Sequence, residues 1–449
     1  MSGSRKSYLM MALATAFAAP LLAQTAIVIP TTPAVDSSFR QHDWDVVAAE
    51  GQIGDGKLLI GDRYALRPTL DYVSGLSEKF VSPDKLLDLR RKRFDNLIKR
   101  NRRTLDRDSE GQPVVRDRVL LVDPGAPQLA TAAKMGFDVV DDRVESALGL
   151  RLVSLSTPRG QSARDAAVAL NTAVPGIGAE LDPIYEPAGE ALDTLTGVAL
   201  YGAQAATAPL AGVPIVMIDG GVGKHAALKG ASIEQQGFAG KSAPTAHGTA
   251  VASLLVGSQG PFRGSAQGAK LYVADIYGGD PAKGSASNMV RALGWAAAKK
   301  PAVVAISLVG PRSTAVERAI AALQKSGTKI VAAVGNDGPS APNAYPASYS
   351  GVISVTGIDG NSTALMEAGS AEHIDFAAPG ANLVAAVPGD GYMAVRGTSF
   401  AVPLVAGRLA LAGSVVRLAR EASPGNGNVG LGVVCAKCGL APEAIAKAN

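Results

Sequence analysis

The chain has 449 residues, of which 47% are hydrophobic and 18% charged, with a formal net charge of +4. That length leaves room for two or three domains with buried cores, and that composition excludes a largely disordered chain. The charge is too mild to make nucleic acid a general partner.

Arg5 and Lys6 precede an apolar, alanine-rich stretch from Tyr8 to Ala23, and small residues stand at Ala23 and Ala26. The pattern reads as a secretory signal peptide over residues 1–23. Its apolar run of roughly 16 residues is short for a spanning helix of about 20. A secreted or periplasmic location is expected, with no membrane contact beyond that signal.

Residues 24–117 form an N-terminal extension that is partly helical. Ser82-Pro83-Asp84 suits a helix start, and Leu86, Leu87, Phe94, Leu97 and Ile98 follow at helical spacing. Eight of the fourteen residues from Arg90 to Arg103 are Lys or Arg. With one aromatic residue in the run, it reads as a solvated helix face and not as a nucleic-acid contact.

Residues 118–187 carry a β-α-β-β-α-β pattern, which predicts a small α+β, ferredoxin-like unit. Its strands are expected at Val119–Val122, Asp138–Asp141, Leu150–Ser156 and Ile184–Tyr185, with helices at Gln128–Lys134 and from Ser162 to Leu170. A linker spans 188–211. Across 212–449, short runs rich in Val, Ile and Ala (215–218, 270–276, 303–307, 330–334) alternate with helical patterns at 249–256, 289–299 and 315–325. That alternation predicts an α/β domain, a parallel sheet with helices on both faces, whose functional residues lie at the carboxyl ends of the strands. The only cysteines, Cys435 and Cys438, suit a small disulfide loop in an exported chain. Zinc would need two further ligands that nothing nearby supplies.

Acyl transfer needs a nucleophile, a base, a group that orients the base, and donors for an oxyanion. The chain has four histidines: His42, His225, His247 and His373. His247, in Ala246-His247-Gly248-Thr249-Ala250, has small neighbours that let a helix start beside the imidazole. Asp219 ends an apolar strand, where a buried carboxylate could orient that ring. Ser399, in Gly397-Thr398-Ser399-Phe400-Ala401, stands at a helix N-terminus that favours developing negative charge. Asn336, after another apolar strand, could offer its amide to an oxyanion. One rival pattern is the G-x-G-x-x-A at Gly221 to Ala226, a dinucleotide fingerprint.

These four segments together resemble the subtilisin-like serine proteases, the subtilases. Asp219, His247, Asn336 and Ser399 stand in that family's order, at intervals of 28, 89 and 63 residues. Tyr345-Pro346-Ala347-Ser348-Tyr349, Ala378-Pro379-Gly380 and Ser307-Leu308-Val309-Gly310 also look like family segments. The resemblance implies a serine endopeptidase acting on proteins or peptides, with Asp219, His247 and Ser399 as triad and Asn336 as oxyanion donor. Ser307, Leu308, Val309, Gly310, Ala333 and Gly335 would bind substrate. The 118–187 unit would be a propeptide, a partner of its own enzyme that is removed by self-cleavage between Glu186 and Ala211. No cofactor is implied for the chemistry; structural calcium is allowed, with no ligands assigned. Three departures stand out. Gly220 replaces a serine or threonine that would bond the aspartate. Ala250 replaces a larger residue, often histidine. Val309 replaces a glycine in the pocket wall, which predicts small or medium apolar residues before the cut. The alternative function is a catalytically silent subtilisin-like domain used for binding.

Overall fold

The computed structural model describes residues 82–195 and 210–438, apart from 261, 382, 390 and 437. The expected signal peptide, residues 24–81 of the extension, residues 196–209 of the linker, and His42 lie outside the described residues.

Among the described residues helix α1 (Pro83–Arg100) comes first, with proline in its first turn and Leu86, Phe94 and Ile98 buried. An antiparallel unit follows: β1 (Leu105–Arg107), β2 (Pro113–Val122), α2 (Ala126–Lys134), β3 (Asp138–Glu145), β4 (Leu150–Ser156), α3 (Ala163–Ala173) and β5 (Glu180–Pro183). The strands lie in the order β1-β2-β4-β3, with β5 also on β2. Alternation decides the two faces of this sheet. Val119, Leu121, Val153 and Leu155 pack on α2 and α3, through Ala132, Ala166 and Leu170. Leu120, Leu150 and Leu152 point the other way, into the core of the following domain.

The structure departs from expectation at both ends of this unit. Its sheet begins before residue 118, because Pro113–Val115 pair with Leu105–Arg107. Its last strand is Glu180–Pro183, not Ile184–Tyr185. Tyr185 is wholly buried in the core of the α/β domain, which draws the chain off the sheet.

Two short strands, β6 (Glu186–Pro187) and β7 (Glu190–Leu195), connect to that domain. Its main elements are β8 (Pro214–Asp219), β9 (Ser232–Gly237), α4 (Ala246–Val256), β10 (Lys270–Asp275), α5 (Ala286–Lys299), β11 (Val303–Ile306), β12 (Leu308–Val309), α6 (Thr314–Lys325), β13 (Lys329–Ala333), β14 (Ile353–Ile358), β15 (Phe376–Pro379), β16 (Leu383–Ala386), β17 (Tyr392–Arg396) and α7 (Thr398–Ala412). Seven of the strands form a parallel sheet in the order β15-β14-β13-β11-β8-β10-β9. Its central strands are apolar on both sides. Ile215, Met217, Val303, Ala305 and Val331 meet α4 and α7. Val216, Ile218, Val304, Ile306 and Ile330 meet α5 and α6. This is the expected α/β architecture. Edge strand β9 reads Ser-Ile-Glu-Gln-Gln-Gly and is mostly exposed, so it carries no apolar signal. Cys435 and Cys438 are joined as a disulfide.

The antiparallel unit is seated on the α/β domain by two carboxylates at helix N-termini, where free amides and the helix dipole favour negative charge. Glu180 accepts hydrogen bonds from the Thr314 amide (2.7 Å), the Ala315 amide (2.9 Å) and the Ser313 hydroxyl (3.0 Å) at the start of α6. Asp182 accepts from the amide (2.9 Å) and hydroxyl (2.7 Å) of Ser287 at the start of α5. Burial pushes the Asp182 carboxyl up to about 6 from an ordinary 3.8, against the two bonds from Ser287 that favour its charge. A carboxyl raised in this way adds most stability below its free value, near pH 4, and loses that contribution as pH rises to about 6. Thermal melts of the Ser399→Ala chain between pH 4 and 7 check this. Its advantage over the same chain carrying Asp182→Asn shrinks as pH rises; an advantage that is flat or grows contradicts the assignment.

Candidate active site

Three element ends converge at the carboxyl edge of the parallel sheet. Asp219 is the last residue of β8, His247 lies in the first turn of α4, and Ser399 is the second residue of α7. His247 Nδ1 is 2.9 Å from Asp219 Oδ1, and His247 Nε2 is 3.0 Å from Ser399 Oγ. Asp219 and Ser399 are fully buried. A carboxylate has no proton to give, so Nδ1–H donates to Asp219, and Nε2 is left to accept from the Ser399 hydroxyl.

Asp219 Oδ1 also accepts from the Gly220 amide at 2.6 Å. Oδ2 has no hydrogen-bond partner among the described residues. The absence of a serine or threonine at 220 has a packing cause. A Cβ there would overlap the Thr245 hydroxyl, and Thr245 caps α4 by accepting from the Gly248 amide at 2.9 Å. Ala250 is fully buried in α4 and its side chain supplies no polar atom.

Asn336 and Ser399 converge on one acceptor, the carbonyl oxygen of Ala188. The Ser399 amide donates to it at 2.8 Å, and the Asn336 side-chain amide donates to it as well. Asn336 is held in turn by the Thr398 amide, which donates to its Oδ1 at 2.9 Å. Glycine is required at 397, where φ is +137° and a Cβ would lie 2.7 Å from Asn336 Nδ2 and 3.0 Å from the Ala188 oxygen.

The chain's own residues run through this cleft. The Ala188 amide donates to the Ser307 carbonyl at 2.9 Å. β6 lies antiparallel to β12, with Pro187 opposite Leu308 and Glu186 opposite Val309. Past Ala188, a Cβ on Gly189 would overlap Ser399 Oγ. β7 then pairs antiparallel with β17, with Glu190 opposite Arg396 and Ala191 opposite Val395. Ser307 also donates its hydroxyl to the Ser399 carbonyl at 2.9 Å.

Not every expected binding residue lines the cleft. Val309, Gly310 and Gly335 border a cavity of about 390 Å³ beside Glu186. Gly310 pairs with Tyr345, not with the bound segment, and supports the Tyr185 ring. Ala333 packs in the core and does not border that cavity. His225 accepts from the Ala227 amide and stands edge-on to Tyr392, and His373 contacts Asp375 and the Val352 carbonyl. The glycines of the dinucleotide-like pattern lead into a single 3-10 turn at Ala226–Leu228, and Gly223 abuts Pro388. No helix N-terminus of useful length stands there to hold phosphate. Among the described residues no group of three or more His, Cys, Asp or Glu side chains is arranged to hold a metal ion.

A sequence model of the Subtilase family matches residues 211–420. Subtilisin BL from Lederbergia lenta is 32% identical over 205 residues, covering 44% of this chain and 76% of that protein. An alkaline protease from Alkalihalobacillus alcalophilus is 30% identical over 247 residues, covering 52% of this chain and 64% of that protein. Among solved structures, the fold is similar to fervidolysin from Fervidobacterium pennivorans, a keratinolytic enzyme related to subtilisin. The TM-score is 0.60 at 19% identity, over 72% of this chain and 60% of that one. That likeness bears on fold alone.

Sequence spacing gave no sign of one buried pair beside the site. Arg396 and Glu367 are 8% and 4% exposed. They meet through two contacts, Nε to Oε1 at 2.6 Å and Nη2 to Oε2 at 2.9 Å. Arg396 lies three residues before Ser399. The Glu367 carbonyl accepts from Gly338, and the Gly369 amide donates to Gly335, so the pair ties the loop of Asn336 to the strand leading to Ser399. Removing one partner leaves a buried charge, at a cost of roughly 3–5 kcal/mol, whereas replacing both with apolar residues is much less harmful. Denaturant titration should therefore find Arg396→Met strongly destabilised and Arg396→Met with Glu367→Leu largely restored. A double variant no more stable than the single one contradicts this.

Proposed function

The chain belongs to the subtilase family and is a serine-type endopeptidase, and from that premise we propose that its own Ala188–Gly189 bond is the first bond it cuts. The observation that carries this reading is the Ala188 carbonyl oxygen, which takes hydrogen bonds from Asn336 and from the Ser399 amide while the Ser399 hydroxyl faces His247.

The chemistry follows from those contacts. Ser399 Oγ attacks the Ala188 carbonyl carbon, and His247 Nε2 takes the hydroxyl proton. Asp219 keeps the ring in the tautomer that can accept and stabilises the imidazolium. The two N–H donors hold the oxyanion. Collapse breaks the C–N bond, and His247 passes its proton to the Gly189 amine. Water then hydrolyses the acyl-enzyme with His247 again as base. Residues 82–188 act as a pro-segment that occupies the cleft until it departs, and residues 1–23 direct export.

Ala188, the residue before the cut, is small. Val309 lies opposite Glu186 and borders the cavity beside it; the family resemblance makes it a wall of the pocket for the residue before the cut, so peptides with Ala or Val there should be cut faster than those with Phe. Val309→Gly should reduce that difference in a matched peptide series; a wild-type preference for Phe contradicts the pocket assignment.

Intact-mass and N-terminal sequence measurements on the purified proteins test the main reading. Wild type should yield a product beginning at Gly189 and label with a serine-directed fluorophosphonate, whereas Ser399→Ala should keep residues 82–188 attached and not label. Asn336→Ala should slow turnover about 10²- to 10³-fold, the effect of losing this donor in subtilisin. Equal labelling of wild type and Ser399→Ala would favour a silent binding domain instead.

A further inference from the structure

Helix α1 lies against the same cleft and reaches it through charge. Arg93 bridges two carboxylates, with Nε 3.0 Å from Glu186 Oε2 and Nη2 3.0 Å from Asp337 Oδ1. Arg90 Nε lies 3.1 Å from the other oxygen of Asp337, and its Nη2 donates to Gln112 at 2.7 Å. Both oxygens of Asp337 are thus matched by arginines of α1. The two guanidinium groups stack near the Phe94 ring, at 4.6 and 5.4 Å from its centroid. Leu86 of the same helix packs on Gly338. Two members of the basic run therefore do specific pairing, unlike the solvated face expected from the sequence.

Asp337 directly follows the oxyanion donor Asn336, on the catalytic side of the cut. Glu186 and Arg93 are both on the pro-segment side. When the pro-segment leaves, Asp337 loses both cations and stays on the cleft wall. An incoming peptide places its third residue before the cut where Glu186 now runs beside Val309. A glutamate there would approach Asp337 with no cation between them. A lysine or arginine, longer than glutamate and rooted at the same backbone position, would carry its charge into the space that Arg93 now fills.

We propose that Asp337 makes the mature protease prefer Arg or Lys at the third position before the cut, the reverse of the Glu186 in its own processing site. The inference rests on the pro-segment reading above. Arg93 acts inside the uncleaved chain as the stand-in for that substrate side chain.

The test uses the self-processed enzyme freed of its pro-segment, and quenched fluorescent peptides containing Tyr-X-Pro-Ala-Gly, with X as Arg, Gln or Glu. The expected order of kcat/KM is Arg, then Gln, then Glu, with roughly a tenfold spread carried in KM and reduced by added salt. Asp337→Asn should compress the spread to about twofold, and Asp337→Lys should reverse the order. The ratio between peptides is the readout, so a general loss of activity in a variant does not imitate the effect. No dependence on X, an order that survives Asp337→Asn, or a basic preference confined to the residue immediately before the cut would each overturn the proposal. If no peptide is cut at all, the endopeptidase reading falls first, a result distinct from equal cutting of all three.

Discussion

One carbonyl oxygen, that of Ala188, organises this structure. It is held between the Ser399 amide and the Asn336 side chain, two donors that lie far apart in sequence and meet only because β13 ends and α7 begins at the same edge of the sheet. Backbone amides at a helix start have no partner inside the helix. At α7 one of them is aimed at the bound segment. Gly397 allows that approach, and Thr398 fixes the asparagine. The donors stand in place before reaction, so little reorganisation is needed as charge develops.

The bound segment is held from both ends. Upstream, Glu180 and Asp182 anchor β5 to two helix N-termini, and Tyr185 fills the core. Downstream, β7 joins the β16–β17 hairpin. A chain tethered on both sides presents one bond to the nucleophile without the cost of bimolecular association. The same segment fills the cleft, with Arg90 and Arg93 of α1 paired to Asp337. In the proposed pro-segment reading, processing and inhibition share a single set of contacts.

Much of this was legible in the sequence. Asp219, His247, Asn336 and Ser399 each sit at the end of a strongly apolar strand or the start of a helix rich in small residues, where local pattern and chemistry coincide. The alternating apolar strands likewise specified a sheet covered on both faces. Other features had no local signal. β9 is polar and exposed at an edge. The Arg396–Glu367 pair and the arginines on Asp337 join positions 29 and over 240 residues apart, which no spacing rule encodes. Gly220 read as a loss, yet its meaning lay in Thr245, whose hydroxyl fills the space a side chain at 220 would take. Ile184 and Tyr185 have strand-forming side chains but are claimed by tertiary burial, an override that propensity does not register.

Self-cleavage at Ala188–Gly189 requires the seating of the Ala188 oxygen in the donor pair. A crystal structure of the unprocessed Ser399→Ala chain measures it directly. The Ala188 oxygen should lie within hydrogen-bonding distance of both the amide of residue 399 and Asn336 Nδ2, with Gly189 beside the substituted side chain. Density that places residues 186–189 outside the cleft, or a different bond at the donor pair, would contradict it.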